Sequence, residues 1–141
     1  MADSVPTKEI YEAEGVTNFS RVTVGSTGVT VVVSQITSIT LNVYDVGSQS
    51  TTPTTVVDGP TTITVGDGVT TGVMTDTLQT TSNDPAYTRD DVGYNFKHTY
   101  DGTTTFAEGG RTYLLEYKFV LISLPDKIVH FRVKTISAWS Q

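Results

Sequence analysis

The last third of the chain imposes a period of two on whatever it folds into. Along 113–121, Tyr113, Leu115, Tyr117, Phe119 and Leu121 fall on one side of an extended backbone. Along 128–134, Val129, Phe131 and Val133 fall on one side, and His130, Arg132 and Lys134 on the other. Side chains of a strand point alternately to opposite faces, so each run reads as a half-buried strand. A short turn containing Pro125 joins them, which predicts an antiparallel hairpin at about 112–122 and 127–136 closing a β-sandwich.

Upstream, the clearest further strand is 38–44, with Ile39, Leu41 and Val43 facing in and Ser38, Thr40 and Asn42 facing out. Strands are also expected at 19–24 and 29–33 around Gly25-Ser26-Thr27-Gly28, at 73–78, and at 94–100. In the last of these Tyr94, Phe96, His98 and Tyr100 share a face, opposite Asn95, Lys97 and Thr99. Residues 47–71 are rich in Thr, Gly, Ser and Pro, and offer two short candidate strands, 54–57 and 61–65, with Gly59-Pro60 as a turn between them. Phe106, a glycine-containing corner and then Tyr113 entering a strand is a sequence habit of immunoglobulin-like sandwiches. The expected fold is therefore all-β: an immunoglobulin-like Greek-key β-sandwich of seven to eight strands, with a jelly roll as the alternative. Its domain spans 17–136, preceded by an extended N-terminal arm at 1–16 and followed by a C-terminal tail at 137–141.

Composition agrees with this class. Twenty-seven of the 141 residues are threonine, a β-branched residue suited to a solvated pleated surface. No cysteine is present, which excludes disulfides, thiolate metal sites and thiol catalysis. The formal net charge of -6 argues against nucleic acid, whose phosphates need clustered Lys and Arg. The first residues have no basic and apolar signal-peptide pattern, and the apolar runs are too short to span a membrane. Assembly in a reducing cytoplasm is the expectation.

Catalytic and metal-binding patterns are weak. His98 and His130 lack zinc-site spacing, and no Gly-x-Ser-x-Gly elbow is present. Asp84, Asp90 and Asp91 share a loop and have the oxygen chemistry calcium prefers, but loop aspartates more often form turns. An enzyme would require two of His98, His130, Asp84, Asp90, Asp91 and Glu108 to converge in a pocket. A carbohydrate-binding module would require Tyr87, Tyr100 or Trp139 to line a groove. No catalytic residue, cofactor or metal is expected. Ordering an isolated arm costs about 1–2 kcal/mol per residue, so the arm and tail are expected to be pinned by a neighbouring chain, with packing onto the domain itself as the alternative. Val5, Ile10, Tyr11 and Trp139 are the candidate contact residues.

Four segments taken together resemble small structural proteins of tailed bacteriophages, which are Ig-like sandwiches encoded among head, neck and tail genes. They are Ile36-Thr37-Ser38-Ile39-Thr40-Leu41-Asn42-Val43-Tyr44-Asp45, Asp76-Thr77-Leu78-Gln79-Thr80, Asp91-Val92-Gly93-Tyr94-Asn95-Phe96, and Gly109-Gly110-Arg111-Thr112-Tyr113-Leu114-Leu115-Glu116-Tyr117. The resemblance covers roughly residues 30 to 136 and excludes the 47–71 segment. It implies a non-enzymatic virion component, foremost a capsid decoration (cement) protein. A head–tail junction, neck or tail component is the alternative. The implied partners are the major capsid or other virion proteins and further copies of the same chain in a homo-oligomer.

Overall fold

The computed structural model describes residues 7–11, 14–24, 28–47, 55–65, 73–80, 82, 84, 85, 87, 92–106 and 109–136. Among these, the chain forms eight strands: β1 (Thr7–Tyr11), β2 (Val16–Ser20), β3 (Ile36–Gly47), β4 (Thr55–Ile63), β5 (Met74–Gln79), β6 (Tyr94–Tyr100), β7 (Thr112–Leu121) and β8 (Lys127–Ile136). They make two sheets, one of five strands in the order β1-β8-β7-β3-β4 and one of three in the order β2-β6-β5. All pairings are antiparallel except β1 with β8, which is parallel. The hairpin expected from the period of two is β7–β8, with Leu115 opposite Phe131 and Tyr117 opposite Val129.

The core lies where the inward rows of the two sheets meet. From the larger sheet come Ile39, Leu41 and Val43 of β3, Leu115, Tyr117 and Phe119 of β7, and Phe131 and Val133 of β8, all buried. From the smaller sheet, Phe96 meets Tyr117 and Phe119 edge-on, with ring centroids 5.0 Å apart in each case. Edge-to-face geometry sets the positive rim of one ring against the negative face of another, worth about 0.5–1.5 kcal/mol per pair beyond area burial. Phe106, in the corner between β6 and β7, is fully buried between Tyr100 and Tyr113, at 5.4 and 4.9 Å.

Over residues 7–11 the expected arm follows the alternative, packing onto its own domain as an edge strand of the larger sheet. Thr7 lies opposite Arg132 and Tyr11 opposite Ile136. The strand was hidden because Lys8-Glu9-Ile10-Tyr11 shows little alternation, and a parallel partner 125 positions away leaves no local turn signal. Its inward positions are Lys8, whose ammonium donates to the Thr17 carbonyl, and Ile10, which packs against the core. The chain then crosses to the other sheet at Glu14-Gly15. There Gly15 and Gly102 let two backbones touch: a Cβ on Gly15 would lie 2.8 Å from the Tyr100 carbonyl oxygen, and one on Gly102 would strike both Phe106 and the Glu14 carbonyl.

Three further expectations change. Gly59-Pro60 does not divide two short strands; both residues lie inside β4, beside the register shift between Leu41 and Val43 of β3. Proline is tolerated because β4 is an edge strand. In place of a strand at 29–33, Thr23 and Thr30 form an isolated bridge, and Val33–Gln35 is a single 3₁₀ turn. Tyr94 leaves the row of Phe96 and His98 for a cluster with Phe19 and Tyr87, at 4.9 and 5.1 Å. An irregularity in the β5–β6 pairing, between Met74–Phe96 and Gln79–Tyr94, accompanies the change of side.

Asn95, expected on a polar face, is fully buried. Its Oδ1 accepts from the Val22 amide (2.7 Å), and its Nδ2 donates to the carbonyls of Val22 (3.0 Å) and Val31 (3.1 Å). This one amide fastens to β6 the small ladder of the 22–31 excursion, in which the Val31 amide donates to the Val22 carbonyl (2.9 Å) and the Val24 amide to the Val29 carbonyl (2.7 Å). Asn95→Ala takes this partner from the buried Val22 amide and Val31 carbonyl, while the Val22 carbonyl keeps the Val31 amide, and is expected to cost about 3 kcal/mol. The check is urea unfolding: a lower midpoint with an unchanged slope.

Candidate functional site

The side chains with chemical potential fall into three separate places. The first lies between the sheets. His98 of β6 places Nδ1 2.8 Å from the Tyr117 hydroxyl, which also accepts from Asn18 Nδ2 at 3.0 Å. With Asn18 donating, the hydroxyl proton is directed to Nδ1, so the arrangement suits a neutral imidazole. Burial lowers the His98 pKa from its ordinary value. Burial is also the main reason the Tyr117 phenol is raised. The buried Oδ1 of Asn18 has no hydrogen-bond partner among the described residues.

The second place is the outer face of the five-stranded sheet. His130 Nε2 lies 3.0 Å from Glu116 Oε2, and the Tyr44 hydroxyl donates to Glu116 Oε1 at 3.4 Å. Tyr117 and Glu116 are adjacent in β7 and point to opposite faces, so the sheet itself separates His98 from His130. The two histidines cannot serve one metal or one proton relay. Among the described residues the same face carries the exposed apolar side chains Tyr11 (55%), Val56 (48%), Ile128 (48%) and Ile136 (36%). Leu114, in the middle of the face, is buried between its cross-strand neighbours Tyr44 and Arg132.

The third place is the outside of the smaller sheet. Asp84 is buried and accepts from the Tyr94 hydroxyl (2.6 Å) and the Lys97 ammonium (2.8 Å). Phe19, Tyr87 and Tyr94 pack against one another there, with Lys8 and Lys97 near the Phe19 ring at 5.7 and 5.6 Å. Desolvation, followed by the bond to Asp84, raises the Tyr94 phenol above its usual value. Asp84 is thus the anchor of the β5–β6 connection. The other two proposed calcium ligands, Asp90 and Asp91, lie outside the described residues, as does Glu108. Among the described residues no three His, Asp or Glu side chains are grouped to hold a metal ion.

Of the candidate contact residues, Ile10 faces the core and Tyr11 faces out, while Val5 and Trp139 lie outside the described residues. Tyr87 and Tyr100 are buried, so neither offers a sugar a stacking platform. Tyr100 instead donates its hydroxyl to Asp58 of β4. Sequence reasoning missed Ile128 and Ile136 as surface groups. The signal was present, because both share the parity of His130, Arg132 and Lys134. Among the described residues no helix is long and apolar enough to cross a membrane. Compared with known proteins, the chain matches no family model, no curated protein and no solved structure.

The His98 site sets a pH dependence whose sign follows from burial. Its folded pKa lies below the unfolded value, so its contribution to stability is complete above about pH 6.5 and is lost as pH falls. Melting temperature measured from about pH 8 to 5 is expected to fall more steeply in the natural chain than in His98→Gln. Equal slopes would assign the effect to other groups.

Proposed function

We propose that this chain is a non-enzymatic structural protein of a tailed-phage particle, a capsid decoration protein that holds neighbouring subunits through its surface. One observation carries the reading. The reactive side chains are committed to the scaffold, His98 to Tyr117, His130 to Glu116 and Asp84 to Tyr94 and Lys97, while apolar side chains are exposed on one sheet face. Tyr11 and Ile136 are cross-strand neighbours on that face, and exposed apolar side chains set together among polar ones favour a protein interaction surface.

The strand order supports the immunoglobulin-like Greek key within this proposal. A three-stranded β2-β6-β5 sheet facing β8-β7-β3-β4 has the order of B-E-D against G-F-C-C′ in variable-type domains. The Phe106–Tyr113 contact at the β6–β7 corner supports it as well. No catalytic residue, cofactor, nucleic acid or membrane enters the reading. A head–tail junction role uses the same surface chemistry and differs in copy number.

Quantitative mass spectrometry of purified particles separates these roles. Decoration is expected to give a copy number near that of the major shell protein, and a junction role a single ring of copies. Absence from the particles would overturn the virion reading altogether.

A further inference from the structure

The polar link between the two sheets leaves one buried atom over. Asn18 of β2 and His98 of β6 are cross-strand partners, and both reach the Tyr117 hydroxyl of β7 in the opposite sheet. Asn18 Nδ2 donates to that hydroxyl at 3.0 Å, and the hydroxyl lies 2.8 Å from His98 Nδ1. With a neutral imidazole the link runs one way, from amide to hydroxyl to ring. Asn18 is 1% exposed, and its Oδ1 has no hydrogen-bond partner among the described residues. Buried acceptors are nearly always paired, so an unpaired one calls for a reason.

We infer that proton uptake at His98 reverses this link and turns the Asn18 amide over, so that the sheets stay joined with the polarity of the link inverted. Once both ring nitrogens carry protons, Nδ1 can only donate. Tyr117 must then accept from it, and the hydroxyl proton loses its acceptor. With the amide as it stands, the Tyr117 proton and Asn18 Oδ1 are both unpaired. Half a turn of the amide exchanges two groups of nearly equal size and brings Oδ1 to the hydroxyl. The two then satisfy each other, and only Nδ2 is left over. The spare oxygen is the acceptor held in reserve for the charged ring, and a bond backed by charge is the stronger kind. Nothing nearby offers the ring a competing partner. Among the described residues His98 bonds to no carboxylate. The other ionisable side chains facing inward around it are Lys8 of β1, which donates to the Thr17 carbonyl, and Tyr100 of β6, which is bonded to Asp58 of β4. Glu116 and Lys118 of β7 and His130, Arg132 and Lys134 of β8 lie on the far face of the larger sheet, and Lys97 of β6 is paired with Asp84 outside the smaller one. Burial is what opposes the charge on His98, and the reserve acceptor is what the site sets against it.

The test is NMR of the full chain from about pH 8 to about pH 4, following the His98 ring nitrogens and the Asn18 side-chain amide. At the upper end Nδ1 should be unprotonated, and the Asn18 Nδ2 protons should show a nuclear Overhauser contact with the Tyr117 ring. That contact is expected to be lost with the midpoint of the His98 titration. Asn18→Leu removes the reserve acceptor and should lower the His98 midpoint by about one pH unit, a tenfold loss of proton affinity. An amide that never turns would keep its donor toward the hydroxyl in both states, so its removal would raise the midpoint or leave it alone. In a Tyr117→Phe background the link is gone, and Asn18→Leu should no longer move the midpoint. The inference is overturned by any of four results: an Nδ2–Tyr117 contact that persists through the titration, a midpoint that Asn18→Leu raises or leaves unchanged, an equal shift with and without the Tyr117 hydroxyl, or a ring still neutral at the acid end. If Asn18→Leu does not fold, the contact in the natural chain decides.

Discussion

The two faces of β7 are the constraint on which the rest of the molecule depends. Lying between β8 and β3, it sends Tyr113, Leu115, Tyr117, Phe119 and Leu121 inward. Tyr117 does the most. Its ring meets Phe96 at 5.0 Å and Phe131 at 5.7 Å, and its hydroxyl is shared by Asn18 and His98. Fully burying a side chain of this size is worth about 1.5–3 kcal/mol, and its polar tip is satisfied at the same time. A slip of one residue would carry Glu116 and Lys118 into the core and Tyr117 into water. The register of the larger sheet therefore has one solution.

How much of this was legible depended on whether the information was local. β7 and β8 follow the expected bounds closely, and β3 contains the expected 38–44 run within Ile36–Gly47, because alternation on a half-buried strand is a local signal. β1 was not legible, since it is held by a parallel partner at the far end of the sequence and by Lys8 reaching Thr17. Gly59-Pro60 read as a turn because both residues break regular structure, yet an edge strand beside a register shift absorbs them. Tyr94 and Asn95 exchanged expected roles at an irregular pairing, where parity along the strand ceases to predict the face. The candidate surface was half visible: the parity of His130, Arg132 and Lys134 was plain, but the edge position of Tyr11 needed β1 to be placed.

The buried polar groups have a common logic. Asn95 latches Val22 and Val31, Asp84 holds Tyr94 and Lys97, and His98 meets Tyr117 from the opposite sheet. Each ties a residue of β6 to another segment through a side chain, across 64 to 73 positions for Asn95, 19 for His98 and 10 to 13 for Asp84. Such bonds contribute modestly when made, but leaving one partner buried and unpaired costs about 1–3 kcal/mol. They therefore act against misplacement of loops more than they add to stability. The outer face stays firm because what lies beneath it has little freedom.

A sheet protein can meet a partner through an edge or through a face, and both edges of the larger sheet are poorly made for strand pairing. At one edge of the larger sheet, β1 carries Lys8 and Glu9, charges that discourage another strand from pairing. At the other, β4 contains Pro60, which lacks an amide donor, and the Gly59 backbone is in the left-handed region at φ +112°. Neither edge presents a flat, continuous row of donors and acceptors. The face between them exposes Tyr11, Ile128, Ile136 and Val56 among charged side chains of both signs, Arg132 and Lys134 with Glu9 and Glu116.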